Sequence, residues 1–375
     1  MSADRIYPLA RPKGHKPPME RWKLEFDDDQ ARIHTAYIGV QRHESTVSTI
    51  ASFEESVKAI QTLLDMIDPD ERPAYERFEF VEGDDQPETT LWVCYWCSST
   101  AYENCIQQLN LTDIYNRVGR PTTVGLWLER FTTPVSRLET NYSGLEYLPG
   151  LAKLPGSQPK GHTLTAYWGA ARDRIPDSGH DLFSRESEET IQSPADIPTG
   201  IGEHLLGGNE YDNLVHIRSG QFWQNCSETE TAAYEGTLEP TLRAGLRYLW
   251  ENRTDSGAMG LRFLRNLDLA RPTSPNISGN GASAPAPAPA KAKETSAAGF
   301  FRNLADLEKW AKRHPSHLAI FNGAIAHARA FGENRRFRTW HEVSVLKRGE
   351  ASFEYVNCLP KTGVISFLRL DRRGL

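Results

Sequence analysis

Along this chain the spacing of apolar and polar positions changes period, and each change outlines an element. Trp340-His341-Glu342-Val343-Ser344-Val345 alternates with a period of two, as a strand does, which puts His341 on the face that carries Val343 and Val345. Glu342 falls on the opposite face. Upstream the period lengthens. His317, Ile320, Phe321, Ala324, Ile325, Ala328 and Phe331 are spaced as one buried stripe of a helix. Gly323, Ala324, Ala326 and Ala328 keep that helix thin along part of its surface, so it can lie against a wide, flat ligand. A shorter helix is expected before it, capped by Asn303, with Leu304, Leu307, Trp310 and Ala311 facing inward.

The same reading predicts strands near residues 77–81, 91–97, 214–218, 261–267, 340–346 and 352–358. Helices are expected near 53–66, from Ser99, and over 228–252. Strands interleaved with helices yet joined by hairpins point to an α+β fold with a mainly antiparallel sheet. Residues 35–42 and 165–172 agree at five of eight positions, both read as strands, and together they hint at an internal duplication. Residues 271–298, with their Pro-Thr-Ser-Pro, Gly-Asn-Gly and Ala-Pro runs, have the composition of a solvated linker.

Composition narrows the class. The chain has 375 residues, 39% hydrophobic and 25% charged, enough to bury a full core. A net charge of −6 with no basic block gives no nucleic-acid footprint. No segment reads as a signal peptide or a membrane span, so the cytoplasm is the expected compartment. The five cysteines are an odd, scattered set and make no disulfide framework. Cys94 and Cys97 have redox-motif spacing but lie in a predicted strand, on opposite faces, where they cannot pair. No His follows Cys97, so a covalent haem attachment is excluded as well.

Two imidazoles, one heading a helix and one on a strand, both point to apolar surroundings. His317 taken alone is either a core histidine bonded to backbone or a ligand. The spacing of His314 and His317 also admits zinc, but Pro315 belongs to a first helical turn and leaves His314 outside the helix. No carboxylate or cysteine follows at ligand spacing.

Several stretches, taken in order, resemble one family. They are Tyr167 to Pro176, Ile217 to Gln221, Arg262 to Asp268, His314 to Phe321, Trp340 to Val345 and Glu354 to Cys358. The family is the haem-containing aldoxime dehydratases, of the phenylacetaldoxime dehydratase type, and the likeness spans most of the chain. It implies two fused ferredoxin-like units forming an α+β barrel. Residues 1–30 would be an N-terminal extension, 31–150 the first unit and 151–375 the second, which carries the haem ligand. The linker at 271–298 would be an insertion within that second unit, longer than the family pattern leads one to expect.

The resemblance also implies a lyase that dehydrates aldoximes to nitriles at ferrous, non-covalent haem b. His317 would be the axial ligand and His341 the distal general acid and base. Ser219 would hold the oxime hydroxyl, with Arg174 and Glu139 also on the distal side. On local pattern alone, Ser219-Gly220 is a turn and Arg172-Asp173-Arg174 a salt-bridged surface triplet. Rival functions are a haem peroxidase-like oxidoreductase on a related barrel, or a haem carrier or sensor that needs His317 alone. A flavin or another reductant, and a homodimer, complete the expected partners.

Overall fold

β-Branched and aromatic residues fill both faces of the two longest strands, so the sheet needs cover on both sides. The computed structural model describes residues 5–44, 46–85, 88–186, 197–270 and 292–375. Fourteen strands among them form one sheet in which every paired neighbour is antiparallel. The fold is α+β.

In chain order the elements are β1 (Arg21–Glu25), β2 (Arg32–Arg42), α1 (Val47–Met66), β3 (Ala74–Gly83), β4 (Thr89–Trp96), α2 (Ser99–Gln108), α3 (Leu111–Arg117) and β5 (Val124–Pro134). Then come β6 (Leu138–Tyr142), β7 (Gln158–His162), α4 (Ala170–Arg174), β8 (Glu203–Gly208), β9 (Leu214–Phe222), α5 (Glu228–Ala233) and α6 (Glu239–Glu251). The chain ends with α7 (Arg253–Ser256), β10 (Ala258–Asn266), β11 (Glu294–Phe301), α8 (Leu304–Arg313), α9 (Pro315–Phe331), β12 (Arg338–Leu346), β13 (Ala351–Val356) and β14 (Asp371–Gly374).

Two halves share a strand order. β5-β2-β4-β3 and β12-β9-β11-β10 run in the same sequence, and β3 pairs with β10 to join them. β13 returns to the first half, on β5, and β8 and β14 extend from it. α1 covers Ala36, Ile38, Val40, Trp92 and Cys94 on one face of the first half. In the second half, Leu246, Leu249, Leu304 and Leu307 of α6 and α8 pack on Val215, Phe263, Val343 and Val345. The other face is a common core built on Tyr37, Tyr95, Phe131, Tyr142, Phe300 and Trp340.

The expected helix over 228–252 is divided by a π-turn at Tyr234–Leu238, just ahead of Pro240. Proline lacks the N–H that would close the ordinary helical bond there. Asn303 caps α8 as expected, accepting from the Asp306 N–H at 2.9 Å. All five cysteines are free, with Cys94 and Cys97 in different cores. No helix among the described residues is long and apolar enough to cross a membrane.

Three expectations need correction. Residues 165–172 are not a strand: they form a turn that enters α4, with Ala166 and Gly169 at positive φ (60° and 101°). The Leu164 and Thr165 carbonyls face the side chains of Arg174 and His15 instead of a ladder. Residues 294–298 are not linker but the start of β11, held between β10 and β9. Two complete ladders outweigh an alanine-rich composition; the linker reading of 271–291 lies outside the described residues. Finally, the stripe on α9 is half-buried throughout, and His327 is the helix's one fully buried residue.

Candidate active site

β12 is the centre of the site. His341 lies directly opposite Ser219 on β9 and opposite Asn141 on β6. Strand alternation then sends His341 to the helix-covered face and Glu342 into the common core. There Glu342 accepts from the Tyr95 hydroxyl at 2.8 Å and the Leu151 N–H at 2.7 Å. Glu139, two residues before Asn141 on β6, shares His341's face.

Three of the expected residues touch. The His341 Nε2 is 2.9 Å from Glu139 Oε1, and the Arg174 Nε donates to that same oxygen at 2.5 Å. Arg174 Nη2 is 3.0 Å from His341 Nε2. A guanidinium nitrogen only donates, so Nε2 cannot serve Arg174 and Glu139 alike. The charge balance favours Nε2–H donating to the carboxylate, with Arg174 compensated by Glu139. The Glu139 and Arg174 side chains are 0% and 4% exposed, while that of His341 is 27% exposed. Of the three, His341 is the one a small molecule can reach. Burial would raise the Glu139 pKa, but Arg174 and His341 outweigh it and hold the carboxyl below its usual range.

Arg174 is not part of a surface triplet. Arg172 pairs with Glu308 of α8 through two bonds of 2.8 Å, and Asp173 accepts from the Tyr167 hydroxyl at 2.7 Å and the Ala10 N–H at 3.1 Å. These contacts pin the turn from both sides and leave Arg174 directed inward, where Nη1 also donates to the Leu164 carbonyl.

His317 stands in the first turn of α9. His314 caps that helix with its own ring, and the ring stacks on Tyr248 with centroids 3.6 Å apart. His314 is therefore occupied outside the helix. The two histidines do not form a metal pair, and among the described residues no cluster of three or more His, Cys, Asp or Glu could hold an ion. The His317 ring meets Trp310 edge-on at 4.7 Å. Its Nδ1 is buried without a well-formed hydrogen bond, and the Ala311 carbonyl is the backbone group that acts on it. Burial pushes its pKa down to about 4; the Ala311 carbonyl opposes this, and the nearby His341 adds to it. His317 is thus held neutral, the form in which imidazole binds metal.

The α9 stripe is shallow rather than filled. Ile320 packs toward α6, over Gly245, and Gly323 abuts Leu238, so the glycine serves helix packing. Phe321, Ala324 and Ala328 stay on the His317 side, half-buried, with Trp168 against Phe321 at 5.3 Å. A neutral imidazole heading an apolar, alanine-lined strip fits a haem. Ser219, by its register, lies beside His341, and His341 acts electrostatically on His317. All five expected residues therefore belong to one region.

Sequence reasoning passed over two polar neighbours. Asn141, opposite His341, holds His162 Nε2 at 3.1 Å through its Oδ1. Burial and Arg174 push the His162 pKa down to about 4. The two-residue step from Glu139 was a signal for Asn141. His162 left none, since its strand β7 has no apolar alternation.

The model of the haem-containing dehydratases matches residues 36–364. An aliphatic aldoxime dehydratase of Pseudomonas chlororaphis is 27% identical over 94% of this chain and 92% of its own length. A phenylacetaldoxime dehydratase of Bacillus sp. (strain OxB-1) is 25% identical over 96% and 94%. A solved aldoxime dehydratase, in complex with butyraldoxime, superposes with a TM-score of 0.79 and 25% identity, over 98% of this chain and 94% of that one.

Proposed function

The chain belongs to the haem-containing dehydratases, and on that premise we propose that it converts aldoximes to nitriles, R–CH=N–OH giving R–C≡N and water. One observation carries this reading: His341, backed by Glu139 and Arg174 and flanked by Ser219, is the accessible member of a buried charged group close to His317. The names of the relatives agree with it.

His317 would hold the cofactor, since it is neutral and heads the apolar strip of α9. When bound, ferrous haem b supplies an electron-rich iron for the oxime nitrogen. The remaining work falls to the chain. Ser219 hydrogen-bonds the oxime hydroxyl and fixes its direction. His341 gives a proton to that hydroxyl as water departs, then takes the proton lost from the aldoxime carbon, so the enzyme ends as it began. With Nε2 engaged by Glu139, Nδ1 is the ring nitrogen that faces the substrate. Glu139 sets the ring's orientation, and Arg174 keeps Glu139 ionised. A flavin or another reductant maintains the ferrous state.

We read the shared strand order of residues 32–134 and 214–346 as two fused ferredoxin-like units of an α+β barrel, within 31–150 and 151–375. The test of function is direct. The purified protein is supplied with haem, its Soret band recorded before and after dithionite, and butyraldoxime or phenylacetaldoxime added under anaerobic conditions. A haem spectrum with nitrile formation in the ferrous state is expected. A protein that takes up no haem, or that oxidises dyes with peroxide and forms no nitrile, overturns the proposal.

A further inference from the structure

Arg21 stands apart from the other charged groups near the site. It lies on β1, where Trp22 pairs with Tyr142 of β6, and Tyr142 in turn pairs with Trp340 of β12. Those three aromatic side chains pack in the common core. Alternation therefore turns Arg21 to the opposite face, the one that carries His341. Two strands sideways and two residues along separate Arg21 from His341, about 12 Å between their backbones at ordinary strand spacings.

Among the described residues its guanidinium has no acceptor. Arg21 as a residue keeps some exposure, but its Nε and Nη1 are cut off from solvent and bond to nothing among the described residues. Burial pushes its pKa down to about 9, and the charges of Arg335, Arg174 and Arg338 push the same way. Arg174 is neutralised by Glu139 and Arg338 by Glu146. Arg335 makes no ion pair among the described residues, and burial together with Arg338 lowers its pKa too. Of the two acids that act on it, Glu146 pairs with Arg338, and Glu230 is taken by the Arg336 and Phe337 N–H groups and by His327. Two of four neighbouring guanidiniums thus lack a carboxylate. Such a charge is costly to bury unless an anion completes it.

We infer that Arg21, with Arg335 beside it, is the anchor for a carboxylate arm of the bound haem, an assignment that rests on the haem reading above. The planar guanidinium matches a carboxylate through paired N–H donors. The same chemistry would also suit a carboxylate carried by the substrate, and the experiment separates the two sources.

The full-chain apoprotein is titrated with protohaem and with its dimethyl ester, followed by the Soret band, and haem loss is timed against excess apomyoglobin. The wild type should bind protohaem at least about 30-fold more tightly than the ester, the effect of losing one partner of a buried charged hydrogen bond. Arg21→Leu should bring that ratio close to one by weakening protohaem while sparing the ester. Arg21→Lys should recover part of it. Equal wild-type affinity for acid and ester overturns the assignment while leaving the haem reading intact. So does an unchanged ratio in Arg21→Leu, or a defect confined to the KM of an acidic aldoxime such as glyoxylate oxime. Wild-type protein that takes up neither compound removes both. Should Arg21→Leu fail to fold, the wild-type ratio still decides.

Discussion

Replacing His317 by glutamine should make the apoprotein more resistant to acid. The folded protein holds the ring neutral, with its pKa lowered from 6.5 to about 4 by burial. The unfolded chain takes up a proton on that ring from about pH 6.5 downward. Between those values the unfolded state binds more protons, so stability is complete above the upper one and falls as pH drops toward the lower. At about 1.4 kcal/mol per pH unit the whole window is worth about 3.4 kcal/mol, of which about 2 kcal/mol is lost by pH 5.

 His317→Gln keeps a polar side chain of similar reach that does not titrate. Its unfolding free energy, relative to wild type, should therefore rise by about 2 kcal/mol between pH 7 and pH 5. Urea melts of the haem-free proteins at pH 7, 6 and 5 read this difference, with the slope against urea checked for constancy. His162, also lowered to about 4, is present in both proteins and cancels. If the two stability curves run parallel over this range, the ring is not held neutral by the fold, and the case for His317 as a ready metal ligand fails.

His341→Ala should retain the Soret band yet lose about 10²–10⁴ in kcat for nitrile formation, the usual worth of a positioned acid or base; near-wild-type turnover would remove its role. Glu139→Ala leaves the Arg174 guanidinium, 4% exposed, without its carboxylate and with only neutral partners, and should destabilise the protein by about 3–5 kcal/mol in urea melts. A loss below about 1 kcal/mol there would mean the pair is solvated. If Ser219 holds the oxime hydroxyl as proposed, Ser219→Ala removes one neutral hydrogen bond, worth about 0.5–1.5 kcal/mol, and kcat/KM should fall only about two- to twelvefold. A larger loss would give Ser219 a share in proton transfer.

Much of this arrangement is legible in the sequence because strands alternate strictly. His341, Val343 and Val345 share a face on spacing alone, and the helix-covered core contains both valines. Pro315 likewise fixes His314 outside α9. Other features escape because they depend on partners distant in the chain. Residues 165–172 carry strand-like aromatics, but Arg174 and His15 take the carbonyls that a neighbouring strand would need. Ala-rich residues 294–298 read as linker, yet two flanking ladders make them the centre of a sheet. The stripe on α9 gives a direction and no depth, so its half-burial was not predictable. Arg174 meets Glu139 across 35 residues and His341 across 167. No local pattern distinguishes it from Arg172, which ends on Glu308.

The geometry of the candidate site depends on the side of β12 that faces the common core. A slip of one residue in this strand would send His341 into the common core and bring Glu342 out beside Ser219. The core opposes that slip chemically. Glu342 is held by Tyr95 and the Leu151 N–H, while Tyr95 also accepts from Arg218 at 2.8 Å and Arg218 pairs with Glu76 at 2.7 Å. Arg218 lies opposite Glu342 on β9, next to Ser219, so the same network sets the register of both strands that carry the site. An imidazole in Glu342's place would leave the Tyr95 hydroxyl and Leu151 N–H short of a charged acceptor and Arg218 with less compensation, each a cost borne in a dry interior. The buried residues of β9 and β12 thus hold Ser219 and His341 opposite each other: Glu342 fixes the strand, and its neighbour His341 is left on the accessible face, where the proposed proton transfer would take place.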